Sequence, residues 1–140
     1  MKNFKSLIAM AVLAIAVVGC SNLENVLPRS GGVWAATSQT VNTYVGGSLV
    51  DTEVTSADSL PTYNFRDDNT GETTYQVGDP EPFTWTTNSD NDQVIITDQA
   101  LNLALTFDVI ENNGKTQKWS TIIGDANSDY FEFLLDLERQ

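Results

Sequence analysis

Residues 101–109, LNLALTFDV, decide the fold class of this chain. Every odd-numbered position is apolar, and the positions between them are polar or small. Because side chains alternate between the two faces of a strand, this stretch predicts a β-strand with one buried and one solvated face. A helix would scatter the same apolar side chains around its axis. Residues 131–137, FEFLLDL, repeat the pattern with Phe131, Phe133, Leu135 and Leu137 on one face.

Turn-forming residues divide the rest of the chain about every ten positions, as expected for short strands. Asn113-Gly114 is typical of a hairpin turn, since both residues tolerate positive φ angles. Further strands are predicted over residues 32–41, 48–55, 62–66, 72–77, 83–88, 93–98 and 115–123. We therefore expect an all-β fold, an up-and-down antiparallel meander of about eight strands closed into a barrel. A β-sandwich is the alternative, but its Greek-key crossovers need longer connections.

The N-terminus has the three parts of a secretory signal. Lys2 and Lys5 precede an apolar stretch over residues 7–18, and Val17-Val18-Gly19-Cys20 closes it. The apolar stretch is too short to span a bilayer, which takes about 20 residues. The segment resembles a bacterial lipoprotein signal with its lipobox. That resemblance implies cleavage after Gly19, transfer of diacylglycerol to the Cys20 thiol and acylation of the new N-terminus.

The net charge limits the partners of the chain. Residues 20–140 keep five basic residues and all 19 acids, a formal net charge of 5 − 19 = −14. Nucleic-acid binding needs clustered Lys and Arg, so it is excluded. The acids are spread along the chain, which favours a solvated, self-repelling surface, and the alternative is capture of a basic partner.

Catalytic chemistry has little support. Histidine is absent and Cys20 is the only cysteine, which excludes Ser-His-Asp triads and the usual zinc sites. The pairs Asp67-Asp68 and Asp90/Asp92 have the residue types of a glycoside hydrolase. Both pairs fall in predicted turns, where Asp accepts local backbone hydrogen bonds. We therefore predict that the protein is not an enzyme and holds no cofactor.

A calcium loop is the metal site that the sequence approaches most closely. Asp125, Asn127, Asp129 and Asp136 have the oxygen ligands and part of the spacing. Tyr130 stands where that loop requires glycine, and the following residues are predicted to form a strand. The segment is therefore interpreted as a polar turn that enters a strand, and no metal site is predicted.

Gly32-Val33-Trp34 opens the first predicted strand, and Phe65 to Gly71 forms a Phe-polar-Asp hairpin. The layout from residue 32 onward resembles the lipocalin-like lipoprotein domains common in Bacteroidota. The resemblance implies that Trp34 plugs the closed end of the barrel and that Arg139 lies across its ring as a cation–π pair. The chain departs from lipocalins because Gln99 follows Thr97-Asp98 and because it has no C-terminal helix.

The chain is therefore predicted to have three parts: a signal peptide over 1–19, a lipidated tether over 20–31 and a lipocalin-like β-barrel domain over 32–140. Trp85, Trp119 and Tyr75, with Tyr63 and Phe83, are the aromatic residues that would line a ligand pocket, and core filling is the alternative. The predicted function is binding of a small apolar or amphipathic ligand. The alternative is an inhibitor or accessory subunit that binds a basic envelope protein.

The residues after the cysteine predict where the lipoprotein resides. Ser21 follows Cys20, and in the sorting rules of bacterial lipoproteins an Asp there retains the protein in the inner membrane. The outer membrane is therefore the predicted location, with the lipid anchor at Cys20 as the membrane contact. Glu24 is the single acid shortly after the cysteine, which favours the periplasmic face over the cell surface.

Overall fold

The computed structural model describes residues 22–140, so the predicted signal and Cys20 lie outside the described residues. Nine strands, β1 to β9, fill most of this range. Their bounds are Val33–Val45, Ser48–Ser56, Thr62–Phe65, Thr70–Thr74, Glu81–Thr87, Gln93–Asp98, Leu103–Asn112, Thr116–Gly124 and Tyr130–Arg139. Each coincides with a predicted strand apart from shifts of a few residues at its ends. The prediction of an all-β fold is confirmed.

The strands form a closed antiparallel barrel. Neighbours along the chain pair with one another from β3 to β9, and β1 closes the circle by pairing with β3 on one side and β9 on the other. β2 is the additional strand, and it pairs with residues 38–45 of β1. Since β3 pairs with residues 33–35 of β1, β2 and β3 lie in line along the same edge of β1. A 3₁₀ turn over Ala57–Ser59 separates them.

The two ends of the barrel differ. The closed end carries the turns 66–69, 88–92 and 113–115 and the N-terminal segment 22–32, and the open end carries the turns 46–47, 75–80, 99–102 and 125–129. At the open end the wall has a gap. β7 pairs with β6 from Leu103 onward, but it pairs with β8 only from Asp108, which lies opposite Ser120. Residues 103–107 and 121–124 therefore have no ladder between them, and the barrel splays there.

Aromatic side chains fill the half of the interior nearest the closed end, which we call the lower core. Trp119 is fully buried, and its ring lies 5.9 Å from that of Phe65 and 5.5 Å from that of Phe107 between centroids. Phe65 also packs edge-to-face against Phe83 at 5.3 Å and Trp85 at 5.5 Å. Edge-to-face pairs are favoured by the ring quadrupole. The core is therefore solid in the half of the barrel nearest the closed end.

The predicted tether is wrong for the residues that the structure describes. Residues 23–26 form a short helix, α1 (Leu23–Val26), capped by the Asn22 side chain, which accepts the Glu24 N–H at 3.0 Å. Leu23 and Leu27 are fully buried in the core cluster, and Val26 is nearly so. Their spacing at i, i+3 and i+4 puts the three apolar side chains on one helical face. These residues therefore pack beneath the barrel and cover its closed end, and they do not act as a spacer between the barrel and the residues before them.

The burial expected for residues 101–109 holds only in part. Phe107 and Val109 pack against the core, but Leu101, Leu103 and Leu105 are exposed. The strand itself is present, with the predicted alternation. Its apolar face is uncovered towards the open end because β8 has separated from it there. Alternation fixes which side chains share a face, but it does not say whether the opposite wall closes over them.

Candidate ligand site at the open end of the barrel

The closed end is held by the pair that the resemblance implied. The Arg139 guanidinium carbon lies 4.7 Å from the centroid of the buried Trp34 ring. Arg139 Nη2 also donates to the Val26 carbonyl at 2.6 Å, and Trp34 Nε1 donates to the Leu27 carbonyl at 2.9 Å. Burial, together with the charge of Arg29, lowers the pKa of Arg139. These contacts fasten α1 beneath the barrel, which leaves the open end as the way into the interior.

Gly32 allows the chain to pass from α1 into β1. Its φ angle is +71°, and its carbonyl accepts the Phe65 N–H at 2.8 Å. A Cβ at this position would overlap the Phe65 carbonyl oxygen. The glycine two positions before Trp34 is therefore required by backbone contact and by φ, since L side chains rarely adopt this region.

Two adjoining cavities occupy the half of the interior nearest the open end. The larger, about 320 Å³, lies between β7 on one side and β8 and β9 on the other. The smaller, about 190 Å³, lies between β7 and the upper ends of β4 to β6. Four side chains line both: Tyr63, Tyr75, Leu105 and Phe107. The two spaces therefore form one site with a shared floor and separate lobes.

The walls of the larger lobe are mainly apolar. Leu105 and Phe107 face Ile123 of β8 and Phe133 and Leu135 of β9 across the gap. Cross-strand pairs put Ile123 beside Phe131 and Thr121 beside Phe133 on the same face. Ile123 and Phe131 remain 48% and 47% exposed. The apolar stripe on β8 and β9 is therefore uncovered beyond the point where the wall opens.

Tyr63 forms part of the floor. It lies opposite the buried Thr73, and its ring is 6.4 Å from that of Trp119 and 6.5 Å from that of Phe83. Burial, and to a lesser extent the neighbouring Tyr75, raises the pKa of Tyr63 to about 12. Within residues 22–140 its hydroxyl has no hydrogen-bond partner, so it is a polar group available to a ligand.

The smaller lobe carries two carboxylates at its rim. Asp98 lies directly opposite the buried Phe83, and Glu81 precedes Phe83 by two positions on the same strand, so both share its inward face. The pKa of Tyr75 is raised by burial and then by the charges of Glu81 and Asp98. No described Lys or Arg forms an ion pair with either carboxylate; the two such pairs within residues 22–140 are Arg66–Glu72 and Lys118–Asp136.

The aromatic residues predicted to line a pocket divide between core and cavity. Trp85 and Trp119 are buried, and their indole N–H groups donate to the Thr70 carbonyl at 3.1 Å and to Gln117 Oε1 at 2.6 Å. They fill the lower core, as the alternative interpretation held, and they do not line either cavity. Tyr75 does line both, and it is 46% exposed.

The acidic pairs support turns. Asp68 accepts from the Thr70 hydroxyl at 2.6 Å and from its N–H at 3.0 Å, and these hydrogen bonds lower the pKa of Asp68. Asp92 accepts from Asn88 Nδ2 at 2.6 Å. These local hydrogen bonds are those expected of Asp in a turn.

The residues considered as a calcium loop make hydrogen bonds within their own turn and to the neighbouring β1–β2 turn. Asp125 accepts from the Asn127 N–H at 2.9 Å, and Asp129 accepts from the Gly46 N–H at 2.9 Å. Within residues 22–140 no group of three or more acidic, His or Cys side chains is arranged to hold a metal ion. The geometry therefore fits a polar turn that closes the β8–β9 hairpin.

Sequence reasoning missed the aliphatic side chains as site residues. Leu103 and Leu105 were expected in the core, and Ile123 was given no role beyond its strand; all three instead form the walls of the open site. Nothing in their own strands distinguishes them from core residues. No local signal could have identified them, because alternation places side chains on one face of a strand and does not record where the neighbouring strand separates.

The chain matches no protein-family model and no curated protein. Among the described residues, no helix has the length and apolar character that a membrane crossing requires.

Proposed function

We propose that the protein binds a small apolar or amphipathic molecule in the open end of a lipocalin-like barrel and does not transform it chemically. The observation that carries this proposal is the apolar gap between β7 and β8, where Leu103, Leu105 and Ile123 are exposed and line the two lobes of the cavity. Burying apolar surface contributes about 25 cal/mol per Å². An apolar ligand in the gap would cover the surface that the splayed strands leave in water.

The dimensions of the site support a small ligand. Small-molecule sites usually measure about 300–1,000 Å³ and combine apolar walls with a few polar groups. The larger lobe, about 320 Å³, meets the lower bound, and the 190 Å³ lobe adjoins it. The polar groups are the hydroxyls of Tyr63 and Tyr75 and the carboxylates of Glu81 and Asp98.

Filling the cavity with a larger side chain tests the proposal. The purified full chain is titrated with the neutral apolar dye N-phenylnaphthylamine, and binding is followed by dye fluorescence. Leu105→Trp puts an indole into the space shared by both lobes, and we expect at least a tenfold loss of affinity. Ile110→Trp is the matched control, because Ile110 is an exposed residue of the same strand that lines neither lobe. Equal binding by both variants, or no binding by the parent chain, would overturn the proposal.

The second part of the proposal is a lipid anchor at Cys20 in the outer membrane, on its periplasmic face. It is supported by the lipoprotein-like signal and by Ser21 after the cysteine. Two residues separate Cys20 from the start of α1 at Leu23, so the anchor would hold the closed end near the membrane and leave the open end facing away. Mass spectrometry of the protein from envelope membranes should find acyl groups on residue 20. An unmodified cysteine, or a mature chain that begins elsewhere, would contradict this part.

A second candidate function is protein interaction through β2. Leu49, Val50 and Val54 of this strand are exposed, and within the described residues β2 pairs on one edge only. Exposed apolar side chains on an unpaired edge are typical of strand addition by a partner. A pull-down from envelope extract with the parent chain and with Val54→Lys distinguishes the candidates. A partner lost in the variant supports interaction, and unchanged recovery argues against this edge.

A further inference from the structure

Charge is distributed unevenly between the two ends of the barrel. The open-end turns and the residues that flank them hold Asp79, Glu81, Asp98, Asp125 and Asp129, and no Lys or Arg. All five basic residues of the described chain lie nearer the closed end, in its turns, the segment beneath them or the adjoining strand ends, where they partly offset the acids of the turns 66–69 and 88–92: Arg29, Arg66, Lys115, Lys118 and Arg139. A molecule that approaches the open end therefore meets a negative field with apolar walls behind it. Such a field raises the local concentration of cations.

Two of these acids belong to the site itself. Glu81 and Asp98 line the smaller lobe together with Tyr75, above the buried Phe83. Neither is neutralised by a basic residue of the described chain, and both charges act on the Tyr75 hydroxyl, whose pKa they help to raise. Carboxylates beside an apolar cavity disfavour an anionic ligand. They also leave unpaired negative charge that a cation would match.

Tyr75 adds an aromatic face at the same place. A cation over a tyrosine ring is attracted by the ring quadrupole, and quaternary ammonium groups are recognised in this way. Tyr75 borders both lobes, but the carboxylates of Glu81 and Asp98 line only the smaller one. The adjoining larger lobe has no charged residue of the described chain in its lining and is bounded by Leu105, Phe107, Ile123 and Phe133. The site thus has a place for a compact positive head and a separate place for an apolar chain.

We propose that the ligand is an amphipathic cation, an amine or quaternary ammonium with an aliphatic chain. Its head lies among Tyr75, Glu81 and Asp98, and its chain enters the lobe between β7 and β8. This inference rests on the proposed ligand-binding function and names the class of ligand. The combined volume fits a single small molecule, and the cavities lie inside the barrel, which favours a small cation over a basic protein.

Probes that share one chain and differ in the head test the inference. The purified full chain is titrated by calorimetry with dodecyltrimethylammonium, dodecanoate and the neutral dodecyl maltoside, each below its micelle concentration. We expect the cation to bind about tenfold or more tightly than the anion, since two carboxylates act on the head. The preference should shrink as salt is added, because partly exposed charges are screened.

Removing the two charges isolates their effect. Glu81→Gln with Asp98→Asn should abolish the preference for the cation and leave the affinity for the neutral probe within about twofold. The control, Asp51→Asn with Asp125→Asn, removes the same charge from two exposed residues, one in β2 and one in the turn between β8 and β9, that line neither lobe, and it should keep most of the preference.

Each outcome has a distinct meaning. If the neutral probe binds but the cation is not preferred, the inference is wrong and the binding function stands. If no probe binds, both are wrong. If the control variant loses as much preference as the cavity variant, the effect comes from net charge and the assignment of the head site is wrong. A preference that the chain loses only in the cavity variant supports the inference.

Discussion

Replacing Arg139 with Met tests the closed end. The change removes a cation–π contact worth about 0.5–2 kcal/mol. It also removes the 2.6 Å hydrogen bond to Val26, and hydrogen bonds of charged groups contribute about 1.5–3 kcal/mol. Two effects oppose this loss: Arg139 Nε is buried without a partner, and the charge lies close to Arg29. Relieving them recovers about 1–3 kcal/mol, so we expect a net loss of about 1–2 kcal/mol.

Urea unfolding of the purified chain, followed by tryptophan fluorescence, measures this change. Hydrogen exchange at the amide of Leu27, which donates to the Leu23 carbonyl, should become faster. The reason is that α1 loses the hydrogen bond from Arg139 to the Val26 carbonyl. Arg29→Met is the matched control: Arg29 is exposed, and removing it should change stability by no more than about 0.5 kcal/mol. An Arg139 variant with unchanged stability and unchanged exchange in residues 23–27 would refute the reasoning about the closed end.

Three further predictions concern the same fold. Leu27→Ala leaves a cavity at a fully buried position beneath the barrel, and urea unfolding should show a loss of stability of about 2–5 kcal/mol. A loss below 1 kcal/mol, about the contribution of one buried methylene, would mean that the segment is not part of the core. Gly32→Ala should destabilise the chain by at least about 2 kcal/mol, since a side chain there meets Phe65 and requires an unfavourable φ, and a neutral change by thermal unfolding would contradict this. Burial raises the pKa of Tyr63 to about 12, so the folded chain holds this proton more tightly than the unfolded chain does. The contribution of Tyr63 to the free energy of unfolding is therefore complete below pH 10 and should fall by up to about 3 kcal/mol towards pH 12. Tyr63→Phe should remove this decline, and an equal decline in both chains would contradict its assignment to Tyr63.

The strands were predictable because alternation and turn residues are local signals. Asn113-Gly114 and the alternation over 101–109 follow from side-chain geometry that a sequence shows directly. Barrel closure was also predictable, since short connections favour pairing between neighbours. The Trp34–Arg139 contact came from resemblance, and the register that places Trp34 opposite Arg139 is a property of the folded sheet.

Two features depended on contacts that no local pattern encodes. The segment from Leu23 to Leu27 is too short to show a helical period clearly. It folds because its apolar side chains pack against the barrel core at the closed end. The exposure of Leu105 depends on where β7 and β8 separate, after the pair Asp108–Ser120. The site therefore could not be located from the sequence, although its residue types were visible.

The most direct test of the account is to map where a ligand touches the barrel. Isotope-labelled full chain is titrated with dodecyl maltoside below its micelle concentration, and methyl resonances are followed by nuclear magnetic resonance. We expect the largest shifts at Leu103, Leu105 and Ile123, around the gap between β7 and β8, with little change at the exposed Val54 of β2. Shifts concentrated at Val54, or none at the gap while the probe binds, would contradict the claim that the open end of the barrel is the binding site.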